Sequence, residues 1–70
     1  MQQIKGSLVR KGSLVMWNVK ASDDYGELGV VTSVKELTLN EEFDVVWADG
    51  TVTEYDHSQI QHQNIKVVKF

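Results

Sequence analysis

The chain of 70 residues contains no cysteine and no proline, and its ten acidic and seven basic side chains give it a net charge of −3. So short a chain is expected to form one domain (1–70) that buries only about 60% of the surface its unfolded form exposes, and without cysteine it can form no disulfide, thiolate metal site or thiol redox centre. No apolar run approaches the ~20 residues of a membrane-spanning helix, and residues 1–5 lack the apolar segment of a signal peptide, so we expect a cytoplasmic protein that does not contact membranes.

The pentapeptide Lys-Gly-Ser-Leu-Val occurs twice, at residues 5–9 and 11–15. The second copy predicts the first strand, because Gly12 precedes the unbroken apolar run Leu14–Trp17. Two copies are too few for a repeat architecture. The first copy, within residues 1–11, is predicted to be either an added edge strand or a mobile leader. The even spacing of six favours the edge strand, because it would place both copies on the same strand face.

Four further runs of β-branched, apolar and aromatic residues predict strands, because such side chains fit a pleated, half-buried surface. These runs are residues 28–34, 43–47, 51–55 and 65–68. Before the last run, Asp56 or Ser58 is placed to cap a single helical turn, with Ile60 directed inward. Strands at intervals of about ten residues are typical of a small all-β barrel.

Asp49-Gly50 lies between two predicted strands and indicates a tight hairpin, because glycine accepts the positive φ that such a turn requires. A two-residue loop would pair Trp47 with Val52. A three-residue loop with Gly50 at a bulge would instead pair Val46 with Val52. The bulged register is favoured because it places two aromatic side chains opposite each other, although it also opposes two carboxylates.

Three short motifs follow one another along the chain: Gly12-x-Leu-Val, then Gly29-Val-Val-x-x-Val, then Val45-Val-Trp-Ala-Asp-Gly followed by Tyr55. Over residues 9–68 this pattern resembles the small SH3-like β-barrels, and in particular short proteins of tailed bacteriophages and marine metagenomes. The resemblance implies an all-β fold, a small SH3-like barrel of about five antiparallel strands with one short 3-10 turn before the last strand. A phage origin would place the protein in the host cytoplasm or the virion. The motif marks a fold and not a chemistry.

Tudor-like members of this class bind modified side chains in an aromatic cage, which makes Trp17, Tyr25 and Tyr55 candidate binding residues. A packing role is favoured for Trp47 and Trp17, because large aromatic side chains mostly fill the core of so small a domain. Tyr25, which follows two aspartates, is the aromatic residue expected to be exposed.

A second relative is the type II dihydrofolate reductase, an SH3-like barrel that acts as a tetramer and carries a Val-Gln-Ile-Tyr motif in its shared pore. The best-matching residues here, 52–55, read Val-Thr-Glu-Tyr. The two pore-forming residues differ, and the carboxylate of Glu54 would repel anionic folate and NADPH. The resemblance therefore leaves this activity as a remote alternative.

No residues have the spacing of a catalytic or metal site, and we predict neither an enzyme nor a cofactor. His57 and His62 are five positions apart, so they do not share a helical face, and a metal site needs three or four converging ligands. The acidic pairs 23–24 and 41–42 are neighbours in sequence, which does not imply an acid–base pair. Nucleophile-elbow and phosphate-loop patterns are absent.

Most basic residues lie near the two ends of the sequence and would form a basic edge if those ends pair. They are Arg10, Lys11, Lys20, Lys66 and Lys69. Such an edge suits nucleic acid, but the negative net charge disfavours that partner. We therefore predict a non-catalytic binding module that acts through protein–protein contact or self-assembly. A homo-oligomer is expected because a short chain has edge strands to cover. Nucleic-acid binding is the alternative function.

Overall fold

The computed structural model describes residues 9–36 and 41–70, and it confirms a small all-β domain. The strands are β1 (Leu14–Trp17), β2 (Leu28–Glu36), β3 (Glu41–Trp47), β4 (Val52–Asp56) and β5 (Ile65–Lys69), with a single helical turn, α1 (Ser58–Gln61), before β5. The predicted leader or edge strand at 1–11 lies mostly outside the described residues. Val9, which ends the first pentapeptide, is fully buried in the core.

All five strands belong to one antiparallel sheet in the order β4-β3-β2-β1-β5. The chain returns from β4 through α1 to place β5 beside β1, so the two ends of the described chain are neighbours. Among the described strands no ladder joins β4 to β5, and the predicted barrel is open there. The sheet is nevertheless curled, because Trp17 on β1 and Tyr55 on β4 have ring centroids 6.1 Å apart although their strands are not adjacent.

The turn before β5 contains α-helical hydrogen bonds where a 3-10 turn was expected. The amide of His62 donates to the carbonyl of Ser58, four residues earlier, and the amide of Gln61 likewise donates to His57. The Asp56 carboxylate accepts hydrogen bonds from both the amide and the hydroxyl of Ser58 and so stabilises the start of the turn. Ile60 packs against the core, as the sequence predicts.

The concave face of the sheet carries the core. Along β3 every second side chain is buried, as expected for a strand with one face inward. The buried apolar residues are Val9, Val15, Val31, Phe43, Val45, Trp47 and Ile65. Ser13 is the one buried polar residue in the described chain, and its hydroxyl accepts from the Arg10 amide and donates to the Phe70 carbonyl.

The hairpin between β3 and β4 has the bulged register that the sequence favours. Val46 pairs with Val52 and Phe43 with Tyr55. Gly50 has a φ of 90°, and its amide donates to the carbonyl of Trp47, which is the geometry of a turn followed by a glycine bulge. The same register sets the carboxylates of Asp44 and Glu54 opposite each other on the convex face, where the Ser33 hydroxyl donates to Asp44 and Glu54 is exposed.

Gly29 on β2 allows β3 to pack closely against β2. A Cβ atom built at this position would lie 2.6 Å from Val45 Cγ1 and 2.8 Å from Trp47 Cε3. Both of those side chains are buried, so neither can move away without disturbing the core. A side chain of any size at position 29 would therefore force the β2–β3 pair apart.

We predict that Gly29→Ala lowers the free energy of unfolding by about 1–3 kcal/mol, the range measured for overpacked cores. Chemical denaturation followed by tryptophan fluorescence measures the change. Lys35→Ala, on the exposed part of the same strand, is the control and should change stability by less than about 0.5 kcal/mol. Equal stability of Gly29→Ala and the parent would contradict the close approach.

Candidate functional site

Two of the three predicted aromatic binding residues are brought together. The rings of Trp17 and Tyr55 are 6.1 Å apart and inclined by 32°, and both side chains are half-buried. Tyr25 lies in the loop between β1 and β2, is 47% exposed, and makes no ring contact within the described residues. The three residues therefore do not form one aromatic rim.

Trp17 and Tyr55 are half-buried and pack against the core. Trp47 packs edge-on against both rings at 6.1 Å, and Phe43 packs against Tyr55 at 6.0 Å. Trp47 and Phe43 are buried, so the four rings pack on one another at the open side of the curled sheet. Edge-to-face and tilted pairs at this spacing are favourable packing arrangements.

The predicted basic edge divides into two groups. Arg10 and Lys11 precede β1, and Lys69 lies opposite Leu14 in the β1–β5 ladder, so these cations share one end of the ladder. Lys66 lies further along β5. Lys20 follows β1 at the other end, near where the backbone of Asn18 bonds to that of Asn64.

Arg10 is engaged within the domain. Its guanidinium lies 4.6 Å from the centre of the Phe70 ring, and its Nε donates to the Phe70 carbonyl at 3.2 Å. The Ser13 hydroxyl donates to the same carbonyl. Arg10 therefore holds the chain after β5 to the turn before β1, and one of its hydrogen-bond donors is used in this contact.

The convex side of the sheet carries an apolar surface that sequence reasoning did not identify. Leu14 pairs with Val30, Val30 with Val46, and Val46 with Val52, so one apolar row crosses four strands. Leu28 lies beside this row. We call these five residues (Leu14, Leu28, Val30, Val46 and Val52) the outer apolar face.

The outer apolar face is open to solvent. Val52 is 61% exposed, and Leu28 and Val30 are almost half exposed, whereas Val31 and Val45 on the opposite side of the same strands are fully buried. A shallow groove of about 350 Å³ runs along the row, and every residue that lines it is apolar. The lining residues are Leu14, Leu28, Gly29, Val30, Val46, Trp47 and Ala48.

A signal for this surface was present in the sequence. The doublets Val30-Val31 and Val45-Val46 put a valine on each side of a strand, whereas a strand with one solvated face alternates apolar and polar residues. Apolar doublets on two neighbouring strands of a single-layer sheet predict a second apolar face. The pairing register was needed to show that the outward valines adjoin one another.

His57 joins the start of the helical turn to β3. It is half-buried, its Nδ1 accepts a hydrogen bond from the Glu41 amide at 3.3 Å, and its own amide donates to the Glu41 carbonyl. His62 is exposed. Within residues 9–36 and 41–70 no three acidic or histidine side chains converge as metal ligands.

Comparison with protein-family models, curated proteins and solved structures finds no match to this chain. The all-β assignment therefore rests on the strands and their order. The likeness to phage and metagenomic proteins stays a prediction. No helix in the described part of the chain is long and apolar enough to cross a membrane.

We predict that Tyr55→Ala lowers the free energy of unfolding by about 2 kcal/mol or more, because the ring packs against Trp17, Phe43 and Trp47. Tyr25→Ala is the matched control, and it should change stability by less than about 0.5 kcal/mol. Urea denaturation of both variants measures the difference. Similar small effects would show that Tyr55 is available for binding and is not needed for packing.

Two carboxylates are predicted to make the fold sensitive to acid. Hydrogen bonds from Thr51 lower the pKa of Asp49, and those from Ser58 lower the pKa of Asp56. A lowered pKa in the folded state stabilises the fold above the ordinary aspartate value of 3.8, and this stabilisation is lost as the pH falls through the folded-state pKa. Glu27 acts in the opposite sense, since burial and the charge of Asp49 raise its pKa.

The double variant Asp49→Asn/Asp56→Asn should therefore lose less stability than the parent between about pH 5 and pH 2. Asparagine keeps the turn geometry at both positions and removes only the ionisable group. Thermal unfolding across this pH range measures the effect. Identical acid profiles for the two proteins would show that these carboxylates do not contribute.

Proposed function

We propose that this domain is a non-catalytic binding module that acts through protein–protein contact or self-assembly, and that its contact surface is the outer apolar face. The observation that carries the proposal is the row of valines and leucines across four strands, with Val52 61% exposed. Contiguous exposed apolar surface of this kind is typical of interaction sites, whereas scattered single residues are not.

The chemistry of this face supports binding over catalysis. The groove along it is lined only by apolar side chains and backbone, so it offers no nucleophile and no proton donor or acceptor on a side chain. Apolar contact is non-directional and gains free energy in proportion to the area removed from water. Such a face suits another apolar protein surface.

Nucleic-acid binding is the second candidate, and the pairing of β1 with β5 supports it. This pairing gathers Arg10, Lys11 and Lys69 at one end of the ladder. Lys20 lies at the opposite end, and Arg10 is already bound to Phe70, so the basic area is small. Fluorescence polarisation with labelled single- and double-stranded DNA and RNA at low salt tests it, and we expect no saturable binding.

The contact proposal predicts that exposed valines serve association and not folding. At a protein concentration of a few micromolar, Val30→Thr and Val52→Thr should unfold within about 0.5 kcal/mol of the parent, because Val52 is 61% exposed and Val30 is 44% exposed. Val31→Thr, buried on the other side of the same strand, is the matched control and should lose more than about 1 kcal/mol.

Denaturant titration at low protein concentration measures these values, since binding of any partner would otherwise add to stability. If Val30→Thr and Val52→Thr unfold as easily as Val31→Thr, the outer valines stabilise the monomer and the proposed contact role is wrong. This outcome does not depend on which protein the face contacts.

A further inference from the structure

We propose that His57 is a pH-sensitive switch at the end of the β3–β4 ladder, closed while its imidazole is neutral and open when the ring has taken up a proton. The switch lies where β3, β4 and α1 meet, and it does not depend on the contact surface proposed above. Two hydrogen bonds and one buried carboxylate oxygen carry the inference.

The β3–β4 ladder continues one residue beyond its last strand pair, Glu42 with Asp56. The His57 amide donates to the Glu41 carbonyl at 2.8 Å, as in a regular antiparallel ladder. In such a ladder the Glu41 amide would donate in return to the His57 carbonyl. Here it donates to the imidazole Nδ1 of His57, at 3.3 Å.

The helical turn explains this exchange of acceptors. His57 has φ −67° and ψ −15°, which are helical values, so its backbone has already left the strand conformation. Its carbonyl accepts from the amides of Ile60 and Gln61, at 3.0 and 3.1 Å. A backbone N–H removed from water needs an acceptor, and for the partly buried Glu41 amide the imidazole supplies it.

Only a neutral imidazole can accept this hydrogen bond. A neutral ring has one N–H and one acceptor nitrogen, so acceptance at Nδ1 requires the proton to be on Nε2. In a protonated ring both nitrogens carry hydrogen and both donate. Nδ1 and the Glu41 amide would then be two donors facing each other across 3.3 Å, and the hydrogen bond would be lost.

The ionisable groups on the strands next to His57 are mostly carboxylates. Glu41 and Glu42 lie on β3, with Glu36 and Lys35 opposite them on β2, and Asp56 on β4 lies opposite Glu42. His62, at the other end of α1, is exposed. An imidazolium at position 57 therefore has anionic acceptors on the neighbouring strands.

One of these carboxylates provides the acceptor in the open state. Oε1 of Glu41 is buried and has no hydrogen-bond partner within the described residues, whereas buried polar atoms nearly always have one. It belongs to the residue whose amide the ring contacts. Protonation therefore moves the Nδ1 contact of His57 from the amide of Glu41 to the carboxylate of Glu41.

The switch controls how firmly α1 is held to β3. In the closed state two hydrogen bonds join His57 to Glu41, and in the open state only the bond from the His57 amide joins the two backbones. Ile60 on α1 packs against the core, so the turn stays attached to the domain. The open state is thus a local loosening and not an unfolding of the sheet.

NMR spectra of the parent protein test the switch. Imidazole nitrogen signals at about pH 8 should show His57 with its proton on Nε2. Between about pH 8 and pH 5, the hydrogen-exchange rate of the Glu41 amide, divided by the intrinsic rate at each pH, should rise roughly three- to ten-fold, as for the loss of one hydrogen bond. The rise should follow the titration of His57 and not that of His62, and the carboxylate carbon signal of Glu41 should shift in step with it.

Three variants identify the group responsible. His57→Asn keeps an acceptor but cannot take up a proton, so its Glu41 amide should stay protected across the same pH range. His57→Ala has no acceptor, and its Glu41 amide should exchange roughly three- to ten-fold faster than that of the parent even at about pH 8. His62→Asn is the matched control and should keep the pH response of the parent.

Each contrary result has a definite meaning. A proton on Nδ1 of neutral His57, or a Glu41 amide whose protection ignores the His57 titration, overturns the switch, and neither measurement needs a variant to fold. A pH response that persists in His57→Asn, or full protection of the amide in His57→Ala, overturns it as well. A Glu41 carboxylate signal that does not follow His57 overturns only the carboxylate as the new acceptor.

Discussion

A single sheet has two faces, and within the described part of the chain only one of them is covered. The curl of the sheet covers the concave face, where Trp17 and Tyr55 meet across non-adjacent strands and close the core around Phe43 and Trp47. Gly29 permits this curl by letting β3 approach β2. No described element packs over the convex face, and its leucines and valines remain in water.

The same constraint also affects the aromatic residues and the basic edge. The aromatic residues that would be needed for a cage are used to complete the core, because a domain with so few large side chains requires them there. Arg10 is used to hold the chain after β5. The outer apolar face is exposed, and it is the surface on which the proposed function rests.

Much of the fold could be predicted from the sequence, because local chemistry specifies it. Asp49-Gly50 indicated the hairpin, and the opposed aromatic side chains Phe43 and Tyr55 favoured the register that pairs Val46 with Val52. Side-chain type alone does not determine which of two adjacent valines points outward. That depends on the register between strands, including the irregularities after Val31 and Leu14. For this reason the doublets Val30-Val31 and Val45-Val46 predicted strands, but they did not predict the continuous surface that their outward valines form.

The charged residues could not be placed for a similar reason. The basic edge depended on pairing of the two ends of the sequence, and the direction in which β5 lies along β1 decides whether Lys69 or Lys66 is nearer Arg10. Antiparallel pairing brings Lys69 to the end of β1 that follows Arg10, whereas Lys20 comes after β1 and lies at the far end for either direction. The same pairing sets Lys69 beside Leu14, at the border of the outer apolar face.

The central claim is that one side of the sheet makes contact while the other side holds the fold. Methyl NMR spectra of the valines, recorded from dilute to concentrated protein, test it directly because each strand supplies its own control. The account predicts that the methyl signals of Val30, Val46 and Val52 shift together with concentration while those of Val31 and Val45 stay fixed. Signals that are all independent of concentration would rule out self-assembly alone, whereas shifts confined to the buried valines would contradict the central claim.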